Sequence, residues 1–215
     1  MRSVGVLLCG CGVYDGSDAQ ETVLLLLALE RNRLRPVPIA PDIEQREVVD
    51  HTSGDAVPGA DPRRVMIESA RLARGAMQPL SEIPPATLDA LVVPGGMGVV
   101  KNLCTEGSGP LGVGELRPEI AAFLEELQTR RIPLAFVGLA RVVLDRLFGD
   151  PLPSAALSVA AGEIVVDEER KTLFTPGFMG GDSLSAVAAG IDRLAEELAR
   201  RLGGPSLLSI RSASR

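Results

Sequence analysis

Residues 132–148 read IPLAFVGLARVVLDRLF, and this stretch decides the fold class. Residues 132–137 form a short apolar run that is typical of a buried strand, and residues 139–148 have the apolar spacing of an amphipathic helix. Only Gly138 separates the two. A strand that passes directly into a crossover helix is the repeating unit of an α/β protein. The sequence therefore predicts a mainly parallel central sheet with helices packed on it.

The rest of the chain repeats this alternation. Further strands are predicted over residues 4–9, 36–40, 88–93, 163–167 and 172–175, and further helices over residues 18–33, 61–73, 117–130 and 182–202. Ser17 with Gln20 has the spacing of a capping box at the start of the first helix, and Asp61–Pro62 has the pattern of a cap followed by a first-turn proline. Because no repeat or linker interrupts the pattern, we expect one domain over residues 1–204 and a tail over residues 205–215.

Composition excludes several classes of function. The 22 Lys and Arg against 28 Asp and Glu give a net charge of −6, which leaves no positive field for nucleic acid or an anionic membrane surface. Five Phe, one Tyr and no Trp are too few for a set of base-stacking platforms. No apolar run approaches the roughly 18 residues of a membrane span, and residues 1–3 lead into the first strand without a signal-peptide cleavage pattern. We therefore expect a cytoplasmic protein.

The residues predict neither a metal nor a cofactor. Three cysteines make a disulfide framework improbable in a domain of this size, and the single histidine, His51, cannot form a two-histidine metal site. Gly10 and Gly12 fit the first positions of a dinucleotide-binding fingerprint, but Asp15 stands where the last glycine or alanine is needed for close helix packing. We expect a tight turn there, and a turn hydrogen bond at His51 rather than proton transfer.

Three positions could carry chemistry. Pro94-Gly95-Gly96 follows a predicted strand and permits a tight turn with exposed backbone N–H groups, and Gly138 forms an abrupt strand-to-helix junction. Many α/β enzymes hold a nucleophile on such a junction, next to backbone donors for an oxyanion. Here the junction has no nucleophilic side chain. Glu21, in the first turn of the first helix, is either a solvated residue that favours the helix dipole or an acid of this site.

Several motifs taken together resemble the ElbB family, glyoxalase-like proteins associated with isoprenoid biosynthesis within the class I glutamine amidotransferase-like (PfpI) superfamily. The motifs are residues 10–16 (GCGVYDG), Glu21, residues 50–54 (DHTSG), residues 68–75 (ESARLARG), residues 94–103 (PGGMGVVKNL) and residues 175–179 (TPGFM). The resemblance runs from Ser3 to about Leu202. It implies a three-layer, flavodoxin-like α/β sandwich with an elbow cysteine, a glutamate beside it and a backbone oxyanion hole.

The resemblance assigns roles residue by residue. Glu21 matches the glutamate, Gly95 and Gly96 match the oxyanion loop, and Gly138 stands at the cysteine position, where the family has Cys-Ile-Ala-Pro and residues 138–141 read GLAR. A glycine has no thiolate to add to a carbonyl, so the central step of the family chemistry is removed. The chain is also shorter than the family between Phe148 and Glu163.

The chain is therefore expected to be a non-catalytic binding or scaffolding protein. The alternative is a glyoxalase III-like or hydratase/lyase-like enzyme, which would act on small carbonyl compounds with Glu21 as general acid/base and the Gly95 and Gly96 N–H groups as donors. A homodimer is expected because residues 22–29, TVLLLLAL, are apolar all round.

Three further residues are candidate ligand contacts: Leu139, Arg141 and Cys104. Buried structural packing is the commoner role for a cysteine such as Cys104. Arg141 either turns to solvent or reaches the site to bind an anionic ligand or Glu21. At the elbow, we expect Gly138 at positive φ and a shielded, protonated Glu21 beside a small pocket lined by the Gly95 and Gly96 amides.

Overall fold

The computed structural model describes residues 1–108, 111–149, 159–181 and 183–203. Within them, a seven-stranded sheet has the strand order β3-β2-β1-β4-β7-β9-β8, and every neighbouring pair is parallel except β8 and β9. β5 and β6 form a separate antiparallel hairpin. The strands are β1 (Arg2–Leu7), β2 (Leu34–Ala40), β3 (Gln78–Pro79), β4 (Ala90–Val93), β5 (Cys104–Glu106), β6 (Val113–Leu116), β7 (Leu134–Val137), β8 (Val165–Asp167) and β9 (Thr172–Thr175).

Helices cover both faces of the sheet. They are α1 (Ala19–Arg31), α2 (Val65–Leu72), α3 (Gly98–Asn102), α4 (Pro118–Thr129), α5 (Arg141–Phe148) and α6 (Leu184–Arg201). Side chains of a strand alternate between the two faces. In β7, Ala135 and Val137 pack with α1 and α6, whereas Leu134 and Phe136 pack with α4 and α5. This arrangement confirms the predicted α/β fold with a mainly parallel sheet between two helical layers.

Two predicted helix starts are wrong. Asp18, not Ser17, caps α1, because Ser17 is fully buried and its Oγ accepts the Cys9 N–H at 3.0 Å. The second helix begins at Val65 rather than after Asp61–Pro62. Residues 63 and 64 precede the helix because they pair with the chain after β2: Arg64 is extended, and the Gln45 N–H donates to the Arg63 carbonyl at 2.7 Å.

Other boundaries shift by a few residues. The first strand ends at Leu7 rather than at residue 9, and Gly138–Ala140 forms a turn of 3₁₀-helix before α5 begins at Arg141. The predicted hairpin near residues 163–175 is present as β8 and β9. Residues 182 and 204, the predicted tail over residues 205–215 and most of the shortened segment between Phe148 and Glu163 lie outside the described residues. In the described parts of the chain, no helix has the length and apolarity that crossing a bilayer requires.

Helix α1 buries most of its apolar surface within the chain. Leu25 and Leu29 are fully buried in the same core as α6. Val23 and Leu27, one helical turn apart, remain 54% and 42% exposed. On α1, the apolar surface left for a partner is therefore one narrow stripe. It is smaller than the apolar run of residues 22–29 suggests.

Candidate functional site

Four loops meet at one edge of the sheet. β1, β4, β7 and β9 are parallel, so the segments that follow them emerge at the same carboxyl edge, where α/β proteins place their sites. These segments carry the turn of residues 10–16, the Pro94-Gly95-Gly96 turn, the Gly138 elbow and the turn of residues 176–178. The side chain of Glu21 lies among them.

Hydrogen bonds hold both the backbone and the side-chain carboxyl of Glu21 in place. The Asp18 carboxylate caps α1 by accepting the N–H groups of Gln20 at 2.8 Å and of Glu21 itself at 3.1 Å. The Glu21 carboxyl then accepts two backbone N–H groups, from Gly95 to Oε2 at 2.9 Å and from Phe178 to Oε1 at 3.1 Å. The residue is only 2% exposed, so it is a buried acid of the site and not a solvated first-turn residue.

Three glycines surround the Glu21 carboxyl, and we call Gly95, Gly138 and Gly177 the glycine cradle. A Cβ on Gly95 would lie 2.6 Å from Glu21 Oε2, and one on Gly138 would lie 2.7 Å from Oε1. A Cβ on Gly177 would overlap Oε1. All three distances are shorter than carbon–oxygen contacts allow, so the absence of side chains at these positions makes room for the carboxyl.

The elbow has the backbone geometry expected for it. Gly138 has φ of 55°, which confirms the predicted positive φ, and α5 begins three residues later. Glycine adopts this angle without strain. The Glu21 carboxyl occupies the space directly beside Gly138 and Gly95, where the first atom of a side chain would stand.

Burial dominates the electrostatics of Glu21. Desolvation by burial raises the pKa of the carboxyl to about 7, against the lowering effect of the Phe178 and Gly95 N–H groups. The charge of Asp18 also raises it. Glu21 can therefore hold or release a proton near neutral pH, which agrees with the predicted direction of the shift.

The two expected oxyanion donors, the Gly95 and Gly96 N–H groups, differ in whether they already have a hydrogen-bond acceptor. The Gly95 N–H donates to Glu21 Oε2 at 2.9 Å, so it can polarise a bound carbonyl only when the Glu21 carboxyl has moved away from it. Among the described residues, the Gly96 N–H has no acceptor. Gly96 has φ of 103° and packs against the backbone of residues 16–18, which leaves no room for a Cβ there.

Of the three candidate ligand contacts, Leu139 borders the glycine cradle, because its backbone nitrogen lies 3.0 Å from where a Cβ on Gly95 would stand. Leu139 follows the elbow and is half-buried. The Arg141 side chain is only 12% exposed, and its Nε lies 3.3 Å from Asp145 Oδ2, one helical turn along α5. It neither turns to solvent nor pairs with Glu21, because Asp145 offers a carboxylate at helical spacing. Cys104 is fully buried in the core beneath α4 and α5.

The cysteines and His51 lie outside the cradle. Burial raises the pKa of Cys9 to about 12 and that of Cys104 to about 11, so neither thiol is ionised at neutral pH. Burial, and then the charge of Glu68, also raise the pKa of the half-buried Cys11. His51 Nε2 accepts the Tyr14 N–H at 3.3 Å, and Nδ1 lies 3.1 Å from the Val49 carbonyl, which is the turn role expected of it.

An open cavity of about 400 Å³ adjoins the cradle. It lies between the Gly12–Val13 turn, the first turn of α1, His51 and Phe178. Phe178 lines this cavity and also donates its N–H to the Glu21 carboxyl. No group of three or more His, Cys, Asp or Glu side chains in the described ranges is arranged to hold a metal ion.

Sequence reasoning missed two residues of the site, Gly177 and Phe178. The signal was present, because Pro176–Gly177 follows a strand just as Pro94–Gly95 does. The parallel pairing of β4 with β7 and of β7 with β9 brings the two turns to the same edge, and their N–H groups meet the same carboxyl.

Comparison with known proteins agrees with this architecture. No family model matches the chain. The chain is 30% identical to the human glutamine amidotransferase-like class 1 domain-containing protein 3, mitochondrial, over 225 aligned positions, covering 93% of this chain and 83% of the human protein. It is 27% identical to the crystal structure of an isoprenoid biosynthesis protein with amidotransferase-like domain from Ehrlichia chaffeensis, with a TM-score of 0.84 over 93% of this chain and 99% of that one.

A more distant likeness shows the fold alone. A cysteine-to-alanine mutant of a DJ-1 superfamily protein from Salmonella typhimurium is 18% identical, with a TM-score of 0.54 over 99% of this chain and 96% of that one. Its fold and that of the Ehrlichia structure match the parallel sheet and two helical layers described above. On the identity and coverage shared with the human relative, the chain belongs to the class I glutamine amidotransferase-like family, and it has the DJ-1/PfpI superfamily fold.

Proposed function

We propose that this chain is a non-catalytic protein of the ElbB type, which acts by binding or scaffolding rather than by covalent catalysis. The observation that carries the proposal is the glycine cradle. At the abrupt turn where an elbow nucleophile would stand, Gly138 has no side chain and the Glu21 carboxyl fills the space. Covalent catalysis on a carbonyl needs a nucleophilic side chain and room for the carbonyl beside it, and this turn offers neither.

The remaining thiols support the same conclusion. Cys9 and Cys104 are fully buried, with pKa values raised by that burial. Cys11 lies in the turn after β1, and its pKa is raised as well. A protonated, buried thiol is a poor nucleophile. None of the three therefore offers a replacement for the elbow cysteine.

The enzyme alternative rests on one observation, the raised pKa of Glu21. A carboxyl with a pKa of about 7 is suited to general acid/base catalysis at neutral pH. It would serve a hydratase-like reaction on a small carbonyl compound only if the side chain left the cradle for the adjoining cavity. That movement would break the hydrogen bonds from the Gly95 and Phe178 N–H groups.

Two further parts of the proposal concern compartment and assembly. We place the protein in the cytoplasm because all its cysteines are free, although the human relative carries the word mitochondrial in its name. We also propose a homodimer that covers the exposed stripe of Val23 and Leu27 on α1. The association of the Ehrlichia protein with isoprenoid biosynthesis makes that area of metabolism the first place to seek a binding partner.

Turnover of methylglyoxal by the purified protein tests the proposal. The expected result is no consumption above that of buffer, for the unmodified chain and for Glu21→Gln alike. The matched control is Glu30→Gln, which removes an exposed carboxylate from the same helix. Turnover that disappears in Glu21→Gln and persists in Glu30→Gln would establish the enzyme alternative instead.

A further inference from the structure

We infer that the opposite, amino edge of the sheet carries a binding site for a small molecule with a phosphate or diphosphate group. A cavity of about 530 Å³ lies there, between the end of α4, the end of α5 and the turn that joins β8 to β9. Its cationic side chains are Arg131, Arg170 and Lys171. This inference does not depend on the proposed function, because the Glu21 site is at the other edge.

The backbone places two of the cations side by side. Arg131 precedes β7 and Lys171 precedes β9, which are neighbouring parallel strands. The Leu134 N–H donates to the Lys171 carbonyl at 3.1 Å and so ties the two connections together. The end of α4 is fixed as well, because the Arg131 N–H donates to the Gln128 carbonyl at 2.8 Å.

Both residues have a backbone conformation that usually selects glycine. φ is 56° at Arg131 and 53° at Lys171. Glycine is the residue most often found at such a left-handed position after a helix, because other residues are strained there. At these two positions the chain instead carries a long cationic side chain beside the cavity.

The charges of Arg131 and Lys171 are not neutralised by their neighbours. Within the described residues, neither side chain makes an ion pair or a side-chain hydrogen bond. The preceding residue shows the contrast, since Arg130 Nε lies 3.0 Å from Glu126 Oε1. A pair of cations without carboxylate partners, facing a cavity, suits a doubly charged oxyanion.

The third cation is positioned by its surroundings. The Arg170 guanidinium lies 4.9 Å from the centre of the Phe148 ring, and its Nε lies 3.9 Å from Asp167 Oδ2. Glu169 is the acidic residue of the cavity wall. Arg131 and Lys171 bring two positive charges to this wall against the one negative charge of Glu169, although the whole protein has a net charge of −6.

A simpler role for Arg131 is to complement the negative end of the α4 dipole. That role requires no ligand. It does not apply to Lys171, which lies in the turn between two strands and does not follow a helix. Binding measurements separate the two accounts.

The experiment titrates the full chain with pyrophosphate and with inorganic phosphate by calorimetry, at ionic strength held constant with sodium chloride. We expect saturable binding of pyrophosphate, weakened about tenfold or more in each of Arg131→Gln and Lys171→Gln, since a lost charge-assisted hydrogen bond has an effect of that size. Arg130→Gln is the matched control, because it removes a neighbouring charge that already has a partner.

Two outcomes would overturn the inference. One is the absence of saturable binding by the unmodified chain. The other is an equal loss in Arg130→Gln and Arg131→Gln, which would show that only the general charge of the surface matters. Circular dichroism of each variant establishes that it is folded, and agreement between two substitutions on different connections guards against a local folding defect.

Discussion

Both edges of the sheet contain residues with a left-handed backbone conformation, but the two edges place different residue types there. At the carboxyl edge, the left-handed positions at Gly138 and Gly177 have φ of 55° and 53° and carry no side chain. At the amino edge, Arg131 and Lys171 have φ of 56° and 53° and carry two of the longest side chains available. The backbone angle is therefore not what distinguishes the two edges.

Available space distinguishes them. A Cβ at Gly138 or Gly177 would meet the Glu21 carboxyl, whereas Arg131 and Lys171 border an open cavity. A residue other than glycine at such an angle costs about 1 kcal/mol, which a protein tolerates at a few places. Contact with a buried carboxyl costs much more, because the carboxyl must leave its hydrogen-bond donors. Glycine is thus required at the first edge by crowding and is optional at the second.

The largest effect is expected from Gly177→Ala. The new methyl group overlaps Glu21 Oε1 and adds the strain of positive φ, so we expect a loss of about 4 kcal/mol in the free energy of unfolding. Gly149→Ala is the matched control, since Gly149 has φ of 67° and nothing within 4 Å of its Cβ position. Its expected loss is about 1 kcal/mol. Urea unfolding measures both, and equal losses would mean that crowding by Glu21 is unimportant.

The second effect is a dependence of stability on pH. Glu21 releases its proton near its ordinary pKa of 4.5 in the unfolded chain and near 7 in the folded one. The folded state therefore holds more protons in this window, so the free energy of unfolding falls as pH rises from 4.5 to 7, by an amount on the order of 3 kcal/mol. Above pH 7 the free energy of unfolding falls no further on account of Glu21. Below pH 4.5 the carboxyl is protonated in both states, so it adds no pH dependence there.

The comparison with Glu21→Gln isolates this contribution. The variant cannot titrate, so the difference in unfolding free energy between it and the unmodified chain should change across the window, whatever its constant offset. Glu30→Gln, which removes an exposed carboxyl of the same helix and leaves Glu21 in place, should retain the pH dependence attributed to Glu21. A flat difference for Glu21→Gln would contradict the buried state of the carboxyl.

A smaller effect is expected from Gly138→Cys. Its Cβ would lie 2.7 Å from Glu21 Oε1 and 3.0 Å from Oε2, a milder overlap than at Gly177. We expect a loss of about 2 kcal/mol from positive φ and the partial displacement of Glu21. Thermal unfolding with and without a reductant measures the cost and shows whether the new thiol is oxidised. No measurable destabilisation would mean that the elbow has unused room.

The smallest effect has opposite signs at two neighbouring residues. Arg131→Gly relieves a left-handed position and should raise the free energy of unfolding by up to about 1 kcal/mol. Arg130→Gly, at a right-handed φ of −79°, should lower it by about 0.5–1 kcal/mol. Chemical denaturation of the pair checks this. Destabilisation by both substitutions would show that the Arg131 side chain itself contributes to the fold.

Local pattern predicts the parts of this fold that depend on near neighbours. The change from strand to helix at Gly138, the hairpin of β8 and β9 and the helix α4 all follow from periodicity within about fifteen residues. The starts of α1 and α2 did not follow, because the Ser17 Oγ accepts the Cys9 N–H and the Arg63 carbonyl accepts the Gln45 N–H. Neither hydrogen bond leaves a signal in helical or strand periodicity. The burial of Glu21 and the donor Phe178 likewise depend on strands that are distant in sequence.

The central claim is that the Glu21 carboxyl fills the elbow site, shielded from water. Carbon-13 NMR of the side-chain carboxyl groups, recorded as a function of pH, tests it most directly. The account predicts one glutamate signal with a midpoint near pH 7 that disappears in Glu21→Gln and remains in Glu30→Gln. A Glu21 signal with the ordinary midpoint of about 4.5 would show a solvated carboxylate and a vacant elbow, and would contradict the account.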